Sequence, residues 1–163
     1  MPDRTSVAIA LGSNLGDRRA HLEFGFARLR QLLANLRTSS IYETEPVDVP
    51  TEQPRFLNAA ALGETMMTPR EVLDALLSIE RERGRERPYA GAARTLDLDL
   101  VLMGERVVDE EGLVVPHPRF RERRFVLEPL TEIAPELLDP VSGQTVEELF
   151  RRLERRAAGE RRR

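Results

Sequence analysis

The run Arg94-Thr95-Leu96-Asp97-Leu98-Asp99-Leu100 holds the strongest chemical signal in the chain. Side chains alternate along a strand, so Leu96, Leu98 and Leu100 share one face while Asp97 and Asp99 share the other, about 7 Å apart. Aspartate is disfavoured in strands, and like charges on one face repel. A hard divalent cation would offset that cost, and Mg²⁺ fits if phosphates complete its oxygen shell. An exposed polar strand face with no ligand is the competing explanation, and the nearby arginines weigh against it. Arg85 and Arg87 follow Gly84 in a loop that returns to this strand, and Arg94 opens the run itself. Arginines opposite paired carboxylates suit a polyphosphate, whose oxygens cations bridge to Asp and whose remaining charge guanidinium groups neutralise. Arg81 and Arg83 read instead as a solvated helix end, with Glu80 and Glu82 pairing to nearby arginines.

The residue census narrows the mechanism. The chain has 163 residues, 28 of them acidic and 25 basic, with two His, no Cys and no Trp, and every basic residue is Arg. A Schiff-base lysine, a lysine-bearing phosphate loop, a cysteine nucleophile, a disulfide framework and a Cys-ligated zinc site are therefore excluded. Group transfer to phosphate oxygens needs mainly positioning and charge stabilisation, so no activated protein nucleophile is required. Val115-Pro116-His117-Pro118 sets one His between prolines, ahead of Arg119, Arg121, Arg123 and Arg124, a second cationic group that could face the same phosphates. Phe56 and Asn58 alternate onto one strand face, where a ring to stack on and an amide to read an edge would suit a flat heterocycle. Phe56 fits the core equally well on this evidence.

These residues need elements to place them. Residues 7–11 form an apolar strand that ends at Gly12-Ser13-Asn14. Leu22, Phe26, Leu29, Leu33 and Leu36 mark one face of a helix, with Asp17 as N-cap. Residues 37–43 and 56–62 read as strands around a proline-rich loop. Thr68, Pro69 and Glu71 open a second helix that ends at Gly84. Residues 95–103 form the Asp strand, Gly104-Glu105 turns into Val107-Val108, and Thr145 with Glu148 caps a last helix. The result is α+β (an α/β sandwich): a ferredoxin-like βαββαβ core with helices on one face, an added hairpin and C-terminal helices. Residues 1–163 form one domain, with residues 151–163 a basic tail of seven Arg against two Glu, expected to be the frayed end of a helix. No stretch approaches the roughly 20 apolar residues that cross a bilayer. The N-terminal residues lack the features of a signal peptide, so a cytoplasmic protein is expected.

The motifs together resemble the 6-hydroxymethyl-7,8-dihydropterin pyrophosphokinase family. The likeness runs through residues 8–15, Tyr42-Glu43-Thr44-Glu45-Pro46, Phe56-Leu57-Asn58-Ala59-Ala60, Ile79-Glu80, Gly84-Arg85-Glu86-Arg87, the Asp strand, Val115-Pro116-His117 and Arg123-Arg124-Phe125. It implies transfer of diphosphate from ATP to a pterin hydroxymethyl group, with release of AMP, in folate biosynthesis. By resemblance, Asp97 and Asp99 bind two Mg²⁺ ions, while Arg85 and Arg94 stabilise the moving diphosphate. Arg87, His117 and Arg123 hold ATP, with Glu80 and Leu100 near the nucleotide. The pterin stacks between Phe56 and Phe125, with Asn58, Thr44 and the backbone near Val47 on its edge. Residues 47–54 and 85–93 match the family's mobile loops.

The chain departs from the family at Ala90-Gly91-Ala92-Ala93, where an Arg-Trp-Gly-Pro run is common, and at Pro118, where an aromatic residue often follows the His. Two rivals stand beside this reading. An RNA-binding sheet would want exposed aromatics and a basic face, whereas this one presents two Asp. A sensor with this fold would bind ligand and release no AMP. The expected state is a monomer with no nucleic-acid or membrane partner, leaving open whether the tail docks on a neighbouring folate-pathway enzyme.

Overall fold

The computed structural model of the chain describes residues 4–44, 55–84 and 95–161. The elements run β1 (Thr5–Ser13), α1 (Arg18–Leu32), β2 (Ala34–Thr38), β3 (Tyr42–Thr44), β4 (Phe56–Thr65), α2 (Pro69–Glu82) and β5 (Asp97–Met103). They continue with β6 (Val108–Glu110), β7 (Leu113–Val115), a 3-10 turn (Phe120–Glu122), α3 (Arg124–Ile133) and α4 (Val146–Arg161). The main sheet has the order β2-β4-β1-β5, with β3 also paired to β4, while β6 and β7 form a separate hairpin. Its neighbours are all antiparallel. This is the βαββαβ order expected, with β2 and β3 together in the second-strand position.

The expected caps are present. Asp17 accepts from the Ala20 N–H at 3.1 Å, Thr68 and Glu71 exchange bonds of 2.9 and 3.2 Å, and Thr145 and Glu148 do so at 3.0 and 3.2 Å. These satisfy N–H groups that a helix start otherwise leaves unpaired. Several boundaries differ from expectation. α1 stops at Leu32, because Leu33 is already extended and Asn35 has φ +52°, so Leu36 reaches the core from a strand. The single strand expected over residues 37–43 is two strands, and β1 runs on through Gly12 and Ser13. The last helix continues to Arg161, so most of the basic tail is helical and not frayed.

Alternation along β1 explains the layers. Val7, Ile9 and Leu11 face α1 and α2, in one core with Leu22, Phe26, Leu76, Leu98 and Leu100. Ala8 and Ala10 face the other way, into a second core with Ala60, Leu127, Leu130, Val146 and Leu149 from β4, α3 and α4. Helices therefore cover both faces of the sheet, and the expectation of a single covered face is corrected. The centre of this second face is small, at Ala8, Ala10 and Ala60, with Leu62, Val101 and Leu102 around it. Beyond that cover, the same face continues as Gly12, Asn58, Asp97 and Asp99.

Candidate active site

Strand register sets the site. Gly12 on β1 pairs with Asn58 on β4 and with Asp97 on β5, and Tyr42 on β3 pairs with Asn58. Tyr42, Asn58, Gly12 and Asp97 thus form one row across four strands. Ala60, Ala10 and Asp99 form the next row. Two interstrand spacings separate Asn58 from Asp97, roughly 10 Å. Among the described residues the floor between them is the bare backbone of Gly12, with the Phe56 ring and the Asn58 amide beside it. A Cβ at Gly12 would lie 3.2 Å from Asn58 Oδ1 and 3.7 Å from Phe56 Cδ1.

At one end of the row the groups are neutral and held by hydrogen bonds. Asn58 is 4 % exposed, and its Nδ2 donates to Thr44 Oγ1. Phe56 pairs with Thr44 in register and lies half-buried on the same face. Tyr42 donates its hydroxyl to Glu132 Oε1 at 2.6 Å, and the Ser40 N–H meets the same carboxylate at 3.0 and 3.1 Å. Burial and this hydrogen bond push the Tyr42 hydroxyl up to about 12. Burial alone would raise Glu132, but the Tyr42 and Ser40 donors outweigh it and hold the carboxyl below its ordinary value. The pair fastens β3 to α3, the helix that carries Phe125 in its first turn. Phe125 packs against the second core, with the Arg123 guanidinium 5.5 Å from its ring centre.

At the other end the groups are charged. Asp97 and Asp99 lie half-buried on β5, the sheet's edge strand. An edge leaves backbone N–H groups without a neighbouring strand, and Glu80 meets that need. Its carboxylate, 2 % exposed, accepts from the Leu98 N–H at 2.7 Å, midway between the two Asp. Register shifts between Ala8 and Ile9, leaving Val101 as an extra residue. Such a bulge re-aims the strand, and here the Val101 carbonyl accepts from the His117 N–H at 2.9 Å. His117 is thereby held beside the carboxylates. Its Nδ1 accepts from the Arg119 N–H at 3.1 Å, which leaves the other ring nitrogen for a ligand. Burial lowers the His117 pKa, Arg123 lowers it further, and Asp97 partly opposes them.

Asp97, Asp99, His117 and Arg123 therefore gather on one face with Thr44, Phe56, Asn58 and Phe125. Two expected residues do not come to it by their side chains. Leu100, 6 % exposed, packs into the α1/α2 core, and Glu80 lies beneath β5. Arg85, Arg87, Arg94 and Val47 lie outside the described residues, as do residues 90–93. The expected group of four arginines after His117 is also reduced. Arg121 forms a two-point ion pair with the fully buried Asp139 at 2.5 and 3.0 Å, and Arg124 pairs with Glu128 and Glu154. Nor is Arg83 a solvated residue, since it bonds His21 and lies 4.8 Å from the Phe24 ring centre. Gly12 and the Tyr42–Glu132 pair were not expected at the site. The parity of β1 would have shown Gly12, but the glycine resembles the start of a turn.

Among the described residues no three His, Cys, Asp or Glu side chains gather as a metal site. Two half-buried carboxylates offer hard oxygens and too few of them, a donor set that fits Mg²⁺ when phosphate oxygens and water supply the rest. A hollow of about 390 Å³ lined by Arg4, Leu32, Glu64, Met66 and Glu71 lies at the opposite end of β4 from this row. Among the described residues no helix is long and apolar enough to cross a membrane.

Residues 8–135 match the family model described as 7,8-dihydro-6-hydroxymethylpterin-pyrophosphokinase. The 2-amino-4-hydroxy-6-hydroxymethyldihydropteridine pyrophosphokinase of Bacillus subtilis (strain 168) is 44% identical over 143 residues, spanning 86% of this chain and 85% of that protein. The enzyme of the same name from Pseudomonas aeruginosa is 40% identical over 146 residues, spanning 88% and 89%. A folic acid synthesis protein of Pneumocystis carinii is 36% identical over 155 residues, of which this chain spans 20% of the length. A solved Plasmodium falciparum HPPK-DHPS superposes with a TM-score of 0.75 at 13% identity, over 93% of this chain and 46% of that one. That likeness shows the fold.

Proposed function

The chain belongs to the 7,8-dihydro-6-hydroxymethylpterin-pyrophosphokinase family, and from that premise we propose how its residues divide the reaction. Members are ATP-dependent transferases of folate synthesis that move diphosphate from ATP to the hydroxymethyl group of the dihydropterin. The hydroxymethyl oxygen attacks the β-phosphorus, the bond from that phosphorus to the bridging oxygen breaks, and AMP leaves with that oxygen. The hydroxymethyl proton passes to water in the same exchange.

The row across the sheet carries this reading. At its neutral end Asn58, Thr44 and the backbone near Val47 bond the pterin edge, and the ring stacks between Phe56 and Phe125. The missing side chain at Gly12 leaves room between the ends, so the hydroxymethyl group of the stacked ring extends toward Asp97. At the charged end Asp97 and Asp99 would hold two Mg²⁺ ions together with the triphosphate. When bound there, such ions offset the negative charge that builds on the transferring group. His117, Arg123 and, by resemblance, Arg87 bind the nucleotide, and Arg85 and Arg94 stabilise the diphosphate as it moves. With Nδ1 occupied and its pKa lowered, His117 is a neutral imidazole whose free N–H donates to a phosphate oxygen. Glu80, assigned by resemblance near the nucleotide, acts through the Leu98 backbone and keeps both Asp on one face.

Incubation with ATP, Mg²⁺ and reduced hydroxymethyl dihydropterin, with nucleotides followed by chromatography, tests the assignment. AMP must appear in step with the pterin diphosphate. ADP in its place, or no turnover with fresh substrate, would overturn it.

A further inference from the structure

His21 lies in the first turns of α1, on the other side of β1 from the carboxylates, and joins two segments that border the site. Its Nδ1 accepts from Arg83 Nε at 2.8 Å. Its other ring nitrogen faces the Leu15 backbone and lies against Gly16, in the turn that leaves β1. Arg83 caps the C-terminus of α2, with its guanidinium over Phe24 one turn along α1 from His21. Arg28 of α1 and Glu82 of α2 pair beside it. Three residues before Arg83, Glu80 holds the Leu98 N–H between Asp97 and Asp99. Immediately after it, Gly84 at φ +82° starts the stretch of chain that carries Arg85, Arg87 and Arg94.

We propose that neutral His21 is a positioning residue for diphosphate transfer, tying the end of α2 to the turn after β1 and so fixing Glu80 beneath the two aspartates. The inference rests on the activity proposed above. Its physical basis is the single lone pair on Nδ1. Protonation at that atom would replace an acceptor with a donor and set an imidazolium against a guanidinium. The bond to Arg83 would then be lost, and α2 would retain only the Phe24 stack and the Arg28–Glu82 pair at this end. The charged groups facing the ring are Arg83 from α2 and Asp17 from the start of its own helix. Burial and Arg83 both lower the His21 pKa, and Asp17 opposes them less strongly, so the tie holds at neutral pH and opens in acid.

Two variants read this out. His21→Gln keeps an acceptor for Arg83 and a donor facing Leu15 and does not titrate, whereas His21→Phe keeps the ring volume and loses both polar contacts. With AMP release measured from about pH 5 to about pH 8, His21→Phe is expected to lose about 10-fold in kcat at the upper end, since a small displacement of reacting groups costs that much. KM for the pterin should change less than about 2-fold, because the pterin-binding strands are untouched. His21→Gln is expected to stay within about 2-fold of the parent at the upper end and to hold its kcat to lower pH. If the His21→Gln profile superimposes on the parent's and a folded His21→Phe retains full kcat, the proposal is wrong. Should His21→Phe fail to fold, the His21→Gln profile alone decides. Nitrogen chemical shifts of His21 test the tie apart from turnover, and a protonated Nδ1 at neutral pH would overturn it. A parent protein that releases no AMP would defeat the activity itself, a result the His21 variants cannot mimic.

Discussion

The two ends of the row across the sheet solve different problems with the same backbone. The Asn58 end sits on β4, paired on both sides, and its amide is 4 % exposed with a bonded neighbour in Thr44. It can recognise by shape and direction because little there is free to move. The Asp97 end sits on an edge strand, half-buried, and depends on supports from elsewhere in the chain: Glu80 below, and His117 held by the bulge at Val101. Two carboxylates on one face with His117 and Arg123 beside them suit a charged ligand, and that end relies on more distant parts of the chain than the other does. Affinity for the flat substrate and the rate of transfer are therefore separable, and substitutions at the two ends should divide accordingly.

The largest effect is expected at the charged end. Asp97→Asn and Asp99→Asn should each lower kcat by about 1,000-fold, the scale of losing a main electrostatic stabiliser. The melting temperature in the absence of ligands should change by no more than a few degrees, since both side chains are half-buried at the sheet edge and the replacement keeps their size. Pterin binding measured by calorimetry should persist. A variant that retains activity would break the assignment of these residues to the phosphates.

Gly12 comes next, because it lies between the ends. A valine there would bring its first carbon to 3.2 Å from Asn58 Oδ1 and add two methyl groups beyond it. KM for the pterin should rise about 100-fold, the upper range for one misfitting group in a pocket. Nucleotide binding should change far less. A fall in nucleotide affinity with normal pterin affinity would mean that the flat ring does not lie over Gly12.

The same contrast governs what could be read from the sequence. The alternation of Leu96, Asp97, Leu98 and Asp99 fixes which side chains face the site, because strand parity is local. So are the caps at Asp17, Thr68 and Thr145, whose partners lie three residues away. α3 is harder to see, since Pro129, a residue that disfavours helix interiors, lies inside it and the arginines ahead of it resemble a loop. The fates of those arginines were beyond local reading, because Arg121 meets Asp139 18 residues on. The early end of α1 is hidden as well, since Leu33 and Leu36 keep helical spacing while serving the core from the helix cap and from β2. Cover on the second face is hidden too, since Ala8, Ala10 and Ala60 are weak apolar signals that carry meaning only once α3 and α4 pack on them.

The smallest effect is expected at the outer edge of the neutral end, where Tyr42 and Glu132 join β3 to α3. The Tyr42 hydroxyl has its pKa raised from 10.0 to about 12 in the folded chain. A raised pKa stabilises the folded state fully below the unfolded value, and that contribution is lost as pH climbs from 10 to 12. For Glu132, held below its ordinary value, the contribution is present above the unfolded carboxyl range and lost as pH falls through the folded one. Because the pair is solvent-accessible, its share of stability is about 1 kcal/mol. Tyr42→Phe should therefore lower the urea midpoint slightly at neutral pH and flatten its decline in alkali, while KM for the pterin rises about 3-fold as Thr44 and β3 loosen. An unchanged alkaline profile would show that the hydroxyl does not titrate against Glu132. A large loss of kcat would show that β3 reaches the charged end, and the separation of the two ends would fail.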